Sequence, residues 1–142
     1  MKRILVATDG SEGANRAIEV AAELAKGLAA KLLIVTVGDG FSSDDVRRLA
    51  RSDGDIGDAL ELVLNQILIQ ARQRAQELGV AEVETATAWG DAAEAIMAAA
   101  GRVRADVIVL GRRGRGRLAG LLLGSVSQKV VALAPCTVIV VP

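Results

Sequence analysis

The sequence predicts an α/β fold: an open, five-stranded parallel sheet of order 3-2-1-4-5 with helices on both faces. Short apolar runs of strand length recur along the chain, and they are continuous rather than alternating, as in strands buried on both faces. Between them lie segments whose apolar residues repeat at i, i+3, i+4 and i+7, the spacing of amphipathic helices. Regular alternation of the two, with right-handed crossovers, favours a doubly wound sheet. At 142 residues the chain fits one domain over 1–142, large enough to bury roughly 70% of its unfolded surface.

The first strand is Ile4 to Ala7, ended by Thr8-Asp9-Gly10-Ser11. Ser11 suits an N-cap, and Glu12 in the first turn favours the helix dipole. Ala14, Ala17, Ile18, Ala21, Leu24, Ala25 and Leu28 then form one helical face, mostly alanine, able to lie close to a sheet. Leu32 to Val37 is the second strand. Gly38 to Asp58 is rich in Gly, Ser and Asp and lacks clear periodicity, which fits a spacer or a lid.

A second helical stripe follows in Ile56, Leu60, Val63, Leu64, Ile67, Ala71, Ala75 and Leu78, with Gly79 as its stop. Val83 to Ala88 is a more polar strand, expected at an edge. Gly90-Asp91 opens the next helix, where Asp91 and Glu94 have capping-box spacing, and Val107 to Leu110 is a strongly apolar fourth strand. After the loop Gly111 to Gly124 comes a helix over Ser125 to Ala134, with Val126, Val130 and Leu133 inward, stopped by Pro135. Thr137 to Val141 is the last strand. In the predicted order, strands 1 and 4 meet at the switch point where ligands bind, and Asp9 and Gly111 stand at their carboxyl ends.

Composition removes several function classes. Seventeen Lys+Arg balance seventeen Asp+Glu, so no global field draws the protein to nucleic acid or anionic membrane. One Phe, one Trp and no Tyr leave few platforms for base stacking. With one cysteine and no histidine, an internal disulfide, a Cys/His zinc site and Ser-His or Cys-His catalysis are all excluded. No apolar run approaches the ~18 residues of a membrane span, and the first is too short for a signal peptide. The expectation is a cytoplasmic protein without nucleic-acid or membrane partners.

The chemistry concentrates in Ala105 to Ser127, where the glycines read Gly111-x2-Gly114-x9-Gly124-Ser125. Glycines at a strand end and in a turn let backbone N–H groups approach an anion. Gly124-Ser125 opens a helix whose free N–H groups suit a phosphate, and Ser125 with Gln128 has capping-box spacing. Arg112, Arg113, Arg115 and Arg117 share the loop, and arginine is suited to bidentate phosphate recognition. There is no GxxxxGK[ST] P-loop. Gly114 to Ala119 formally fits G-x-G-x-x-A, but no acidic ribose partner follows about twenty residues on.

On ILVATDGS, Gly90-Asp91, ADVIVLGRRG, LLLGSVS and APCTVIVVP, the chain resembles the universal stress protein family in its ATP-binding branch. The glycine spacing matches that family's nucleotide motif in full, and Gly38 to Asp58 carries little of the likeness. The resemblance implies a Rossmann-like, adenine nucleotide alpha-hydrolase-like sheet holding ATP, or ADP or AMP. Gly111, Gly114, Gly124, Ser125 and Val126 would contact ribose and phosphates, with Ala7, Thr8, Leu110 and Ser127 beside them. Asp9 would lie near the ribose or a phosphate-bound Mg2+, and the Val37 backbone would meet the adenine edge. Arg113, like Arg112, is at a variable motif position, so its charge neutralisation is read from the residues alone.

The resemblance also implies a homodimer through the strand Thr137 to Val141. The expected function is a nucleotide-responsive sensor or adaptor in stress response, with slow hydrolysis at most. A chaperone-like or structural dimer not regulated by nucleotide is the alternative. An enzyme ranks third, because no general base is placed for a substrate.

Overall fold

The computed structural model describes residues 2–39, 54–112 and 123–142. Along them run β1 (Arg3–Ala7), α1 (Glu12–Leu28), β2 (Lys31–Asp39), α2 (Gly54–Glu77), β3 (Val83–Gly90), α3 (Ala92–Val103), β4 (Val107–Gly111), α4 (Ser125–Leu133) and β5 (Thr137–Val141). The strands form one parallel sheet in the order β3-β2-β1-β4-β5. Fold class and strand order are those expected, and the more polar β3 is at an edge.

Continuous apolarity in the strands follows from what covers each face. Successive side chains of a strand point to opposite sides. Ile4, Val6, Leu32, Ile34, Val107 and Val109 meet α1 and α2, whereas Leu5, Val35, Ile108 and Leu110 meet α3 and α4. The α1 contact is made largely by Ala14, Ala17, Ala21, Ala22 and Ala25, whose methyl groups keep the helix close to the sheet. Ser11 caps α1, its Oγ accepting from Ala14 N at 3.2 Å. Gly79, at φ +96°, turns the chain out of α2.

Several boundaries and faces differ from expectation. β2 continues through Asp39, because it pairs with β3 as far as Asp39 opposite Gly90. α2 begins at Gly54, so the expected spacer contracts at both ends, and residues 40–53 lie outside those described. The buried face of α2 is Leu64, Leu68, Ala71 and Ala75, with Val63 54% exposed. Apolar residues lie on several sides of LELVLNQILIQ, and packing on β2 and β3 selects among them. Leu28 and Leu133 are exposed; beside α4, Ala134 and Cys136 take the inward places expected of Leu133.

Asp106 ties the two central strands at their amino ends. Its Oδ2 accepts from Lys2 N at 2.7 Å and Arg3 N at 3.0 Å. Those two N–H groups, with the nearby amino terminus, hold its pKa below the ordinary carboxylate value. A depressed folded pKa stabilises above the unfolded value and loses that contribution as pH falls through the folded value. The stability gap between wild type and Asp106→Asn in urea unfolding is therefore expected to be constant above about pH 5 and to close below about pH 4. A gap that ignores pH would show that the carboxylate charge contributes nothing.

Candidate functional site

β1 lies between β2 and β4, so the crossover connections diverge at its carboxyl end. A cleft of about 480 Å³ opens there, within the range of about 300–1,000 Å³ usual for small-molecule sites. The end of β1 contributes Ala7, Thr8 and Asp9, and β2 contributes Val35, Thr36, Val37 and Asp39. Leu110 and Gly111 come from β4, and Gly124 to Ser127 from the start of α4. Val63, Leu64 and Ile67 of α2 close one side, and Ala92 and Ile96 of α3 the other.

Local hydrogen bonds fix the turn after β1. Thr8 N donates to Val35 O at 2.9 Å, extending the sheet by one residue. Thr8 Oγ1 accepts from Gly10 N at 3.1 Å, and Asp9 Oδ1 from Ser11 N at 2.9 Å. One oxygen of Asp9 is thus engaged in shaping the turn that leads into α1.

The neck of the glycine loop is closed by the backbone. Arg112 N donates to Val141 O at 2.7 Å, and Gly124 N to Arg112 O at 2.8 Å. Ser127, buried at 4% exposure, adds a latch, its Oγ donating to Gly111 O at 2.8 Å. Strand end and helix start are held together whatever path the chain takes between them. The N-cap of α4 is Gly124, and it makes no side-chain cap bond, so the first-turn N–H groups are not taken up by a capping side chain.

The expected capping box of Ser125 and Gln128 is not formed. The helix begins at Ser125 itself, and Gln128 Nε2 instead donates to Leu123 O at 2.8 Å. Freed from capping, the exposed Ser125 hydroxyl lies on the cleft. Asp91 does cap α3, accepting from Glu94 N at 3.0 Å. Glu94 turns to Lys129, which lies 3.3 Å from both carboxylates. The Glu94 N–H first, then Lys129, lowers the Asp91 pKa, and the two carboxylates raise that of Lys129.

Gly111 has a second reason for being glycine besides its place in the motif. A Cβ there would stand 3.0 Å from the carbonyl carbon and oxygen of Gly13 and 3.3 Å from Ala14 N. The first turn of α1 packs so closely against the strand end that a side chain there would require this backbone to give way by a few tenths of an ångström.

Of the residues singled out in the sequence, Ala7, Thr8, Asp9, Val37, Leu110, Gly111, Gly124, Ser125, Val126 and Ser127 are brought together around this cleft. Arg113 and Gly114 lie outside the described residues. Sequence reasoning missed Thr36, Asp39 and the α2 wall. Thr36 had a signal, as the one hydroxyl within the apolar run LLIVTV. The α2 wall had none, since its register is set by packing. No group of three or more His, Cys, Asp or Glu suited to a metal ion occurs among the described residues. No helix among them is long and apolar enough to cross a membrane.

Comparison with known proteins places this geometry in a family. A Thermus aquaticus protein, the universal stress protein of a QAH/OAS sulfhydrylase 3' region, is 38% identical over 149 residues, covering 99% of this chain and 98% of that one. The solved universal stress protein UspA of Lactobacillus plantarum superposes with a TM-score of 0.85 at 27% identity, covering 99% and 97% of the two chains. A universal stress protein solved in complex with cAMP superposes with a TM-score of 0.78 at 32% identity, with the same coverage. The profile of the universal stress protein family matches residues 1–142, and the chain belongs to that family.

Proposed function

We propose that the cleft binds an adenine nucleotide, ATP with Mg2+ foremost and ADP or AMP through the same groups. The chain would then act as a nucleotide-responsive sensor or adaptor in the stress response, in the cytoplasm, with slow hydrolysis at most. The observation that carries the reading is the convergence of three strand ends and a helix start on one cleft. The cAMP complex of a relative at 32% identity supports the same ligand class.

In this reading the start of α4, at Gly124, Ser125 and Val126, receives phosphate through backbone N–H groups and the Ser125 hydroxyl. Gly114 and Arg113 would complete the anion site from the loop. The Val37 backbone meets the adenine edge, between the α2 wall and Leu110. Asp9 faces the ribose or a phosphate-bound Mg2+. The residues fit an ion held chiefly by the nucleotide, because Asp9 has one oxygen bonded to Ser11 N and no further cluster of ligating side chains surrounds it among the described residues. With no histidine in the chain, the residue most often used as a general base is lacking, which suits slow turnover at most.

The partner in this reading is a second copy. β5 is a sheet edge, and Val138, Ile139 and Val140 on it are only partly buried. Soluble proteins normally cover such an edge, and antiparallel pairing of Thr137 to Val141 with its copy would do so.

One experiment addresses both points. Millimolar ATP with MgCl2 is expected to raise the melting temperature as ligand linkage requires. Sedimentation of the same samples at micromolar protein is expected to give a dimer. No shift and no calorimetric binding would end the nucleotide reading, and a monomeric mass the β5 pairing.

A further inference from the structure

Buried side-chain hydroxyls are rare here, and their positions are informative. Among the described residues, the buried polar side chains are Thr8, Thr36 and Ser127, and all three line the cleft. Thr8 Oγ1 accepts from Gly10 N, and Ser127 Oγ donates to Gly111 O. Each of these two has a structural partner. Thr36, 1% exposed, has none for its Oγ1.

An unpartnered hydroxyl in such a place is costly, because it gives up water without a replacement bond. Thr36 shares its face of β2 with Leu32 and Ile34 by the two-residue period of a strand, the face that packs on α1 and α2. Valine would fill the same volume without the penalty. Ala14, Val63, Leu64 and Ile67, from the two helices on that face, line the same cleft as Thr36. Turning χ1 by one staggered well moves Oγ1 into the place of Cγ2 and Cγ2 into that of Hβ, so the direction of the hydroxyl can change while the strand stays in place.

A flat heteroaromatic ring suits these apolar walls, and the ring nitrogens of a purine are acceptors that match a hydroxyl donor. We propose that Thr36 is a base-reading residue, its hydroxyl donating to a ring nitrogen of the bound purine. The role is distinct from that of the glycine loop, which would hold phosphate whatever base is attached. It rests on the adenine-nucleotide reading and adds the group that selects the base.

The test compares Thr36→Val and Thr36→Ser with wild type, using ATP and inorganic tripolyphosphate as probes in calorimetry. Thr36→Val is expected to bind ATP roughly tenfold more weakly, the effect of one hydrogen bond lost in a desolvated site. Its affinity for tripolyphosphate should be unchanged. The same variant should melt higher than wild type without ligand, since the unpartnered hydroxyl is gone. Thr36→Ser, which keeps the donor, should retain wild-type affinity for ATP. Undiminished ATP binding by Thr36→Val would overturn the proposal while leaving the nucleotide reading intact. Equal wild-type affinity for ATP and tripolyphosphate would overturn it too, since no base would then be read. If wild type binds neither probe, the nucleotide reading and this inference fail together.

Discussion

Replacing Gly124 by valine is expected to weaken ATP binding at least 100-fold, about 2.7 kcal/mol, while the fold is retained. Gly124 is the N-cap of α4 with φ −70° and ψ 167°, extended backbone that any residue adopts. The substitution therefore introduces no strain of its own. Valine is a poorer N-cap than glycine, a cost of about 1 kcal/mol or less. The binding effect is larger because Gly124 lines the cleft where the N–H groups of α4 would receive phosphate. A branched side chain there takes the volume the anion needs and holds it away from the helix start. Calorimetry gives the affinity, and a melting curve within a few degrees of wild type separates lost binding from lost structure. Unchanged affinity would show that the phosphates do not lie at this helix end.

Gly38→Val is expected to cost about 3 kcal/mol of unfolding free energy, the upper part of the usual range for overpacking. Gly38 pairs with Trp89 across β2 and β3, and the indole ring occupies the space a side chain at 38 would fill. A Cβ built there overlaps Trp89 Cε3 and Cζ3 and touches Leu64 Cδ1 at 3.4 Å. The ring must leave its site beside Gly38, which also borders Leu64 on the wall of the cleft. Urea unfolding measures the loss. The double variant with Trp89→Ala supplies the control, because residues in contact are not additive. Removing the ring should make valine at 38 less damaging than in the wild-type background. A cost below about 0.5 kcal/mol for the single variant would be that of an ordinary surface substitution and would place the ring elsewhere.

The parts of the fold legible in the sequence are those set by local chemistry or by burial on both faces. Ile4 to Ala7 and Val107 to Leu110 read as two-sided strands because both faces are covered. Ser11, Asp91 and Gly79 mark helix ends through bonds and dihedrals confined to a few residues. What sequence reasoning missed depends on distant partners. Asp39 belongs to β2 only because β3 continues opposite it, and Leu68 rather than Val63 is buried because of how α2 rests on the sheet. Ser125 has the residue type and spacing of a cap, yet the helix starts at it rather than after it. Most of the candidate site was legible from the spacing of Gly111, Gly124 and Ser125 and from Asp9 at a strand end. The packing role of Gly111 was not, since α1 approaches there from nearly a hundred residues earlier in the chain. Thr36 is intermediate: visible as an interruption, but meaningful only once its hydroxyl is seen to lack a partner.

The indole of Trp89 over Gly38 has a consequence for observation. The chain has one tryptophan and no tyrosine, so its long-wavelength ultraviolet emission arises from a single ring. That ring and Leu64, which lines the cleft, both border Gly38. A shift of the α2 wall would change the polarity around the indole and move its emission maximum. The protein thus carries an intrinsic optical probe at the border of its candidate site, readable without label or engineered chromophore.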